Sequence, residues 1–194
     1  MRARAILKRI RLNDLDTAQI RELMITEGIG VDCSGLAGRI LDALVKERVG
    51  KSIAQCLQPV QINGHSPLRR IIFRFRPLQN IDVLTLTSEM NCISVTLSDL
   101  RPGDLIRTRG GKHVLLITEI ERHDNRIMSF AYVHSSGQFG DQSGVREGKV
   151  VITNVDGNLG DQDWQEVWEG RKPALEGWRE EREKNGIHRL RALI

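Results

Sequence analysis

Apolar residues recur at helical spacing between residues 33 and 49, where Leu36, Ile40, Leu44 and Val45 fall on one stripe. Asp32 stands where an N-cap belongs and Gly50 where a left-handed C-cap belongs, so the pattern predicts a helix from Cys33 to Val49. A shorter helix is expected over residues 14–27, capped by Asp14 or Asp16, with Leu15, Ile20, Leu23 and Met24 apolar and Gly28 and Gly30 ending it. From Arg69 the period changes to two. Residues 69–76 alternate towards their end as a half-exposed strand does, and Pro77 stops them. Further strands are expected at residues 81–87, 92–97, 104–108, 113–121, 127–134 and 149–154. Pro102-Gly103, Gly110-Gly111, Asp124-Asn125 and residues 135–144 supply the turns between them. Residues 158–194 return to a helical pattern, with Trp164, Val167 and Trp168 on one face and Trp178 continuing a core stripe.

Helices first, then a run of adjacent strands, then helix describes an α+β fold in which the Cys33 helix packs on an antiparallel sheet. The 194 residues suit one domain spanning 1–194. The 40% apolar share is enough for a packed core, and no apolar run reaches the roughly 18 residues of a membrane helix.

The formal charge is +4, but 25 acidic residues are interspersed among 29 basic ones, so no nucleic-acid partner is expected. The cluster Arg69, Arg70, Arg74 and Arg76 reads as a solvated strand face or as a grip on an anionic polymer. The opening residues Met1 to Ile10 are basic and lack the apolar stretch of a secretory signal, which leaves location open between cytoplasm and export. Oligomeric state is open as well.

The three cysteines, Cys33, Cys56 and Cys92, are too few and oddly numbered for a disulfide framework, and no Cys-x-x-Cys pair suggests a metal. One reactive thiol and two buried ones is the economical reading. Cys33 falls in the first turn of its helix. There the helix N-terminus and a neighbouring imidazolium would lower the thiol pKa, and backbone N–H groups would meet an oxyanion.

A nucleophilic thiol needs a base. His113 heads the most apolar strand, Val114-Leu115-Leu116-Ile117, and His134 ends the next one. In an antiparallel hairpin the start of one strand lies beside the end of the next, so the two rings are expected together as a base and its orienting residue. Asp32, Ser34 and Arg146 are candidate substrate-binding residues. Arg146 follows the loop after His134 and is expected to reach a substrate carboxylate. His65 and His123 read as surface residues in turns, and His188 has no partner in view. Neither a metal nor an organic cofactor is implied.

These residues resemble the NlpC-type cell-wall cysteine peptidases. The matches are Asp32-Cys33-Ser34-Gly35, Pro102-Gly103-Asp104-Leu105, His113-Val114 and Val133-His134-Ser135, within residues 28–137. The resemblance implies a papain-like fold, with Cys33 as nucleophile, His113 as base and His134 as orienting residue. It further implies a peptide-bond substrate, usually the stem peptide of peptidoglycan. Departures are visible too. Thr26-Glu27-Gly28-Ile29-Gly30 stands where the family carries a Tyr and a Trp-Gly-Gly turn. Leu115 and Leu116 replace Gly-Ile, and residues 51–98 read as an insertion between the cysteine helix and the histidine strands. The expectation is a thiol peptidase. A thiol amidase or acyltransferase on another substrate, or a catalytically silent module binding a wall or anionic polymer, are the other readings.

Overall fold

The computed structural model describes residues 31–58 and 81–194, together with residues 16, 19 and 22. Apart from those three positions, the helix expected at 14–27 lies outside the described residues, as do the strand expected at 69–76, His65 and the arginine cluster.

Helix α1 runs over Cys33–Val49, as the capping residues predict. The Asp32 side chain accepts from the Gly35 N–H, and Gly50 closes the other end with φ 70°. The face it buries is rotated from the expected stripe. Ala37, Leu41 and Val45 are buried beside the small Ser34 and Gly38, whereas Ile40 is exposed. Smallness explains the rotation: a Cβ on Gly38 would meet the Ile81 side chain at 3.5 Å, so this side of the helix can approach its neighbours most closely.

Buried Asp42 accepts from the Ser52 hydroxyl at 2.7 Å and the Ile53 N–H at 2.9 Å, anchoring the one-turn helix α2, Ile53–Cys56. Residues 81–87, expected as a strand, instead form the one-turn helix α3, Val83–Leu86. The Asp82 carboxylate accepts from the Thr85 N–H at 2.7 Å and so caps a turn, which buries Val83 and Leu86 three residues apart. The described residues of the expected insertion share one core with α1: Ile53, Leu57, Ile81, Val83, Leu86 and Cys92 pack with Leu41 and Val45.

Among the described residues seven antiparallel strands form one sheet: β1 Cys92–Ser94, β2 Leu105–Thr108, β3 His113–His123, β4 Arg126–Ser136, β5 Gly144–Val151, β6 Asp163–Trp164 and β7 Gly186–Leu190. Their order is β1-β7-β2-β3-β4-β5-β6. The C-terminal segment is therefore not all helix. It contributes β6, then helix α4 over Pro173–Arg179, then β7, which lies between β1 and β2. Trp164 is buried and Val167 exposed, so the two do not share a helical face.

Both faces of the sheet are covered. Leu105, Val114, Leu116 and Leu190 pack with α1 in one core. Ile106, Leu115, Ile117, Tyr132, Trp164 and Ile187 form the other, with Ala174, Leu175 and Trp178 of α4. Burial on both sides is why Val114 to Ile117 is continuously apolar rather than alternating. Asp104, in the Gly-Asp-Leu segment, binds the Arg189 guanidinium through both oxygens at 2.7 and 2.8 Å. Both residues are buried, so this pair joins the entry of β2 to β7 inside the protein.

Candidate active site

Cys33 is the first residue of α1, held by two attachments. Asp32 accepts from the Gly35 N–H and, at 3.0 Å, from the Ser34 hydroxyl. The Ser135 hydroxyl donates to the Val31 carbonyl, tying the chain before the cap to β4. Asp32 and Ser34, expected to face substrate, thus meet each other in the cap. The thiol itself lies against the backbone N–H of Val114, the residue after His113. The N–H groups of Cys33 and Ser34 also face the sulfur, so the helix start supplies donors where an oxyanion would form.

His113 enters β3 from a turn in which Arg109, Gly110 and Gly111 all have positive φ, 55°, 61° and 90°. Only glycine adopts that conformation freely, so the glycines let the chain reverse immediately before the histidine. His113 Nε2 and His134 Nδ1 are 2.9 Å apart, with the rings edge-on at 76°. The hairpin thus brings together the two histidines that the sequence pairs.

His134 leads to a residue the sequence reading missed. Its Nε2 is 3.0 Å from Glu166 Oε1, and both side chains are buried. Glu166 lies two residues beyond Trp164, which pairs with Val150 in β5, so it projects from the sheet on the same side as that tryptophan. Arg146 is directly opposite His134 in the β4–β5 register, and its Nε donates to the same Glu166 oxygen at 3.1 Å. The Tyr132 hydroxyl donates to the other oxygen at 2.9 Å. Arg146 therefore serves a carboxylate of its own chain, with its guanidinium 3.9 Å above the Phe139 ring.

Tyr132 reaches Glu166 only because residue 148 is glycine. The two are cross-strand partners, and a Cβ on Gly148 would lie 2.2 Å from the tyrosine Cζ. The available signal was the period-two spacing Trp164, Glu166, Trp168, which places an acid in line with two aromatics. Helical spacing through Trp164, Val167 and Trp168 reads the same stretch differently.

Protonation follows from this geometry. Burial alone would raise the Glu166 carboxyl, but hydrogen bonds from His134, Tyr132 and Arg146 outweigh it and hold the group below the usual carboxylate range. An ionised carboxylate only accepts, so His134 Nε2 carries a hydrogen. In the tautomer with the hydrogen on Nε2, His134 Nδ1 accepts from His113 Nε2–H. That leaves the His113 Nδ1 lone pair as the free basic position. Burial, the neighbouring His134 and Arg109 push His113 down to about 3, so it is unprotonated at neutral pH.

The thiol does not follow expectation. Burial raises the Cys33 pKa, with the Asp32 charge adding to it, and the backbone N–H of Val114 offsets this only in part. The His113 ring, unprotonated at neutral pH, does not lower it. At rest Cys33 is a neutral thiol and His113 a neutral imidazole, not the thiolate and imidazolium expected of an activated cysteine at a helix N-terminus.

The remaining candidates fall elsewhere. Cys92 is buried, donates to the Leu86 carbonyl at 2.9 Å and is pushed by burial up to about 12, while Cys56 is half-buried. His123 is exposed at the end of β3. His188 is buried in β7, opposite Leu105 and Ser94. Among the described residues no group of three or more histidine, cysteine or acidic side chains is placed to hold a metal, and no helix is long and apolar enough to cross a membrane. No protein family, no curated protein and no solved structure matches this chain.

Proposed function

We propose that the protein is a cysteine-type hydrolase of amide bonds with a papain-like arrangement of helix and sheet, acting on peptides such as peptidoglycan stem peptides. The observation that carries this reading is the hydrogen-bonded series Glu166, His134, His113, which ends one residue from the amide against which the Cys33 thiol lies. A buried carboxylate at one end and a neutral imidazole with a free lone pair at the other form a base held in a single tautomer.

In this reaction His113 Nδ1 takes the thiol proton as Cys33 Sγ attacks the carbonyl carbon. The oxyanion is met by the Cys33 N–H at the start of α1. The imidazolium formed on His113 is stabilised through His134 by Glu166, then gives its proton to the leaving amine as the C–N bond breaks. Water, deprotonated by the same nitrogen, hydrolyses the thioester and restores the thiol. Because the resting thiol is protonated, proton transfer accompanies attack, and nucleophilicity arises only with substrate in place. An amidase would leave the same acyl-enzyme; an acyltransferase would pass the acyl group to an acceptor other than water.

The test is incubation with soluble peptidoglycan fragments and synthetic stem peptides, with products identified by mass. Hydrolysis adds one water across an amide bond, whereas acyl transfer yields a conjugate. Activity is expected to vanish in Cys33→Ala and His113→Ala. Full activity in Cys33→Ala would overturn the proposal.

A further inference from the structure

A cavity of about 390 Å³ opens at the ends of β1, β2 and β7, and Arg107 and His188 are among the residues that line it. His188 is 93% buried by its 7% exposure, yet its Nε2 makes no hydrogen bond. That nitrogen faces the position where Gly186 has no side chain: a Cβ there would stand 3.0 Å from Nε2 and 3.4 Å from Cε1. Gly186 also lines the cavity, and its φ is not among the positive values that require glycine. The residue is therefore small for space, not for conformation.

Arg107 Nε is likewise buried without a partner. Among the described residues its Nη1 has only the Thr87 carbonyl and hydroxyl, both at 3.5 Å, long for a hydrogen bond. Among the described residues no carboxylate forms an ion pair with it. Glu89, at the exposed rim, lies near enough to act on its charge but does not bind it. A cation and a ring nitrogen left unmet side by side are costly, since each has given up water without gaining a partner. Nothing in the proposed hydrolysis uses either one. The adjacent guanidinium and burial keep His188 neutral, pushed down to about 4. Apart from the Glu89 carboxylate at the exposed rim, the buried wall of the cavity offers a guanidinium and a neutral imidazole, which match an anion with several acceptor oxygens.

We infer that this cavity binds the oxyanionic group of a small ligand, a carboxylate or a phosphate, through the Arg107 guanidinium and His188 Nε2, beside Gly186. The site is separate from the Cys33 chemistry and goes beyond it.

The experiment is a titration of the full chain, isotope-labelled, with sodium acetate and separately with inorganic phosphate, following the imidazole resonances of His188 by NMR. Matched sodium chloride serves as the ionic-strength control. Saturable shifts at His188 are expected with at least one anion and not with chloride. Acetate alone identifies a carboxylate ligand and phosphate alone a phosphoryl ligand. Arg107→Gln should weaken the binding by roughly tenfold or more, and Gly186→Ala should abolish it. Thermal melts check that both variants fold. Absence of saturable shifts in the wild-type chain overturns the inference, as does binding that folded Gly186→Ala retains undiminished. Cys33→Ala should bind the same anion with the same affinity, so the outcome does not depend on whether the chain is a hydrolase.

Discussion

Glu166 gives His134 and His113 their direction. Replacing it with glutamine keeps the shape but removes an obligate acceptor, so either imidazole can turn its hydrogen the wrong way. Glu166→Gln is expected to lower kcat by roughly 10³ to 10⁴ with little change in KM, measured on whichever peptide the wild-type cleaves. Gly148→Ala acts on the same network from beneath. Its methyl group would collide with Tyr132, whose displacement removes one hydrogen bond from the carboxylate. At Cys33 the raised pKa gives a sign opposite to that expected of an activated thiol. Alkylation by iodoacetamide in the free protein should be slower at pH 7 than for a free thiol and should climb only in the alkaline range, as peptide mapping across pH would show. Of these residues, Cys33, His113 and His134 were legible because helix capping and hairpin geometry are local rules. Glu166 was not. It reaches the site through a strand of two residues whose spacing fits a helix equally well.

Short elements were where reading the chain failed, and the reason is the same each time. Residues 81–87 alternate like a strand, yet one Asp82 cap outweighs the alternation. Strand β7 carries His188 and Arg189 among its five residues, a pattern that argues against burial until their surroundings are known. Arg189 is buried because Asp104, 85 positions earlier, neutralises it, and no window of the sequence contains both. Removing one partner of such a pair leaves a bare charge inside the protein. Asp104→Ala should therefore cost about 3–5 kcal/mol, seen as a thermal midpoint lowered by roughly 10 °C. In contrast, α1 was readable from end to end, since both caps lie next to it. Asp32→Ala should cost only about 1 kcal/mol by urea denaturation, with the helix retained.

Taken whole, the molecule is a sheet covered on both sides, with titratable groups sealed where the cores meet its ends. This sets how stability responds to acid. His188 titrates near 6.5 when unfolded and near 4 when folded, so the unfolded chain binds the proton first as pH falls. Stability is intact above pH 6.5 and declines below it. At pH 5, 1.5 units under the unfolded value, the loss from this one ring is about 2 kcal/mol. His113, depressed further, acts in the same direction. Urea midpoints at pH 7.5 and pH 5 should differ accordingly, and His188→Gln should narrow the gap. The layout of the sheet has a consequence in time as well. Residues 186–190 fill a slot between strands made from residues 92–94 and 105–108. A ribosome delivers them after every other described strand of the sheet. Until then the hairpins from β2 to β5 can assemble, but β1 has no neighbour and β2 presents a bare edge. The nascent sheet must wait, partly built and open to wrong partners, for these five residues to close it.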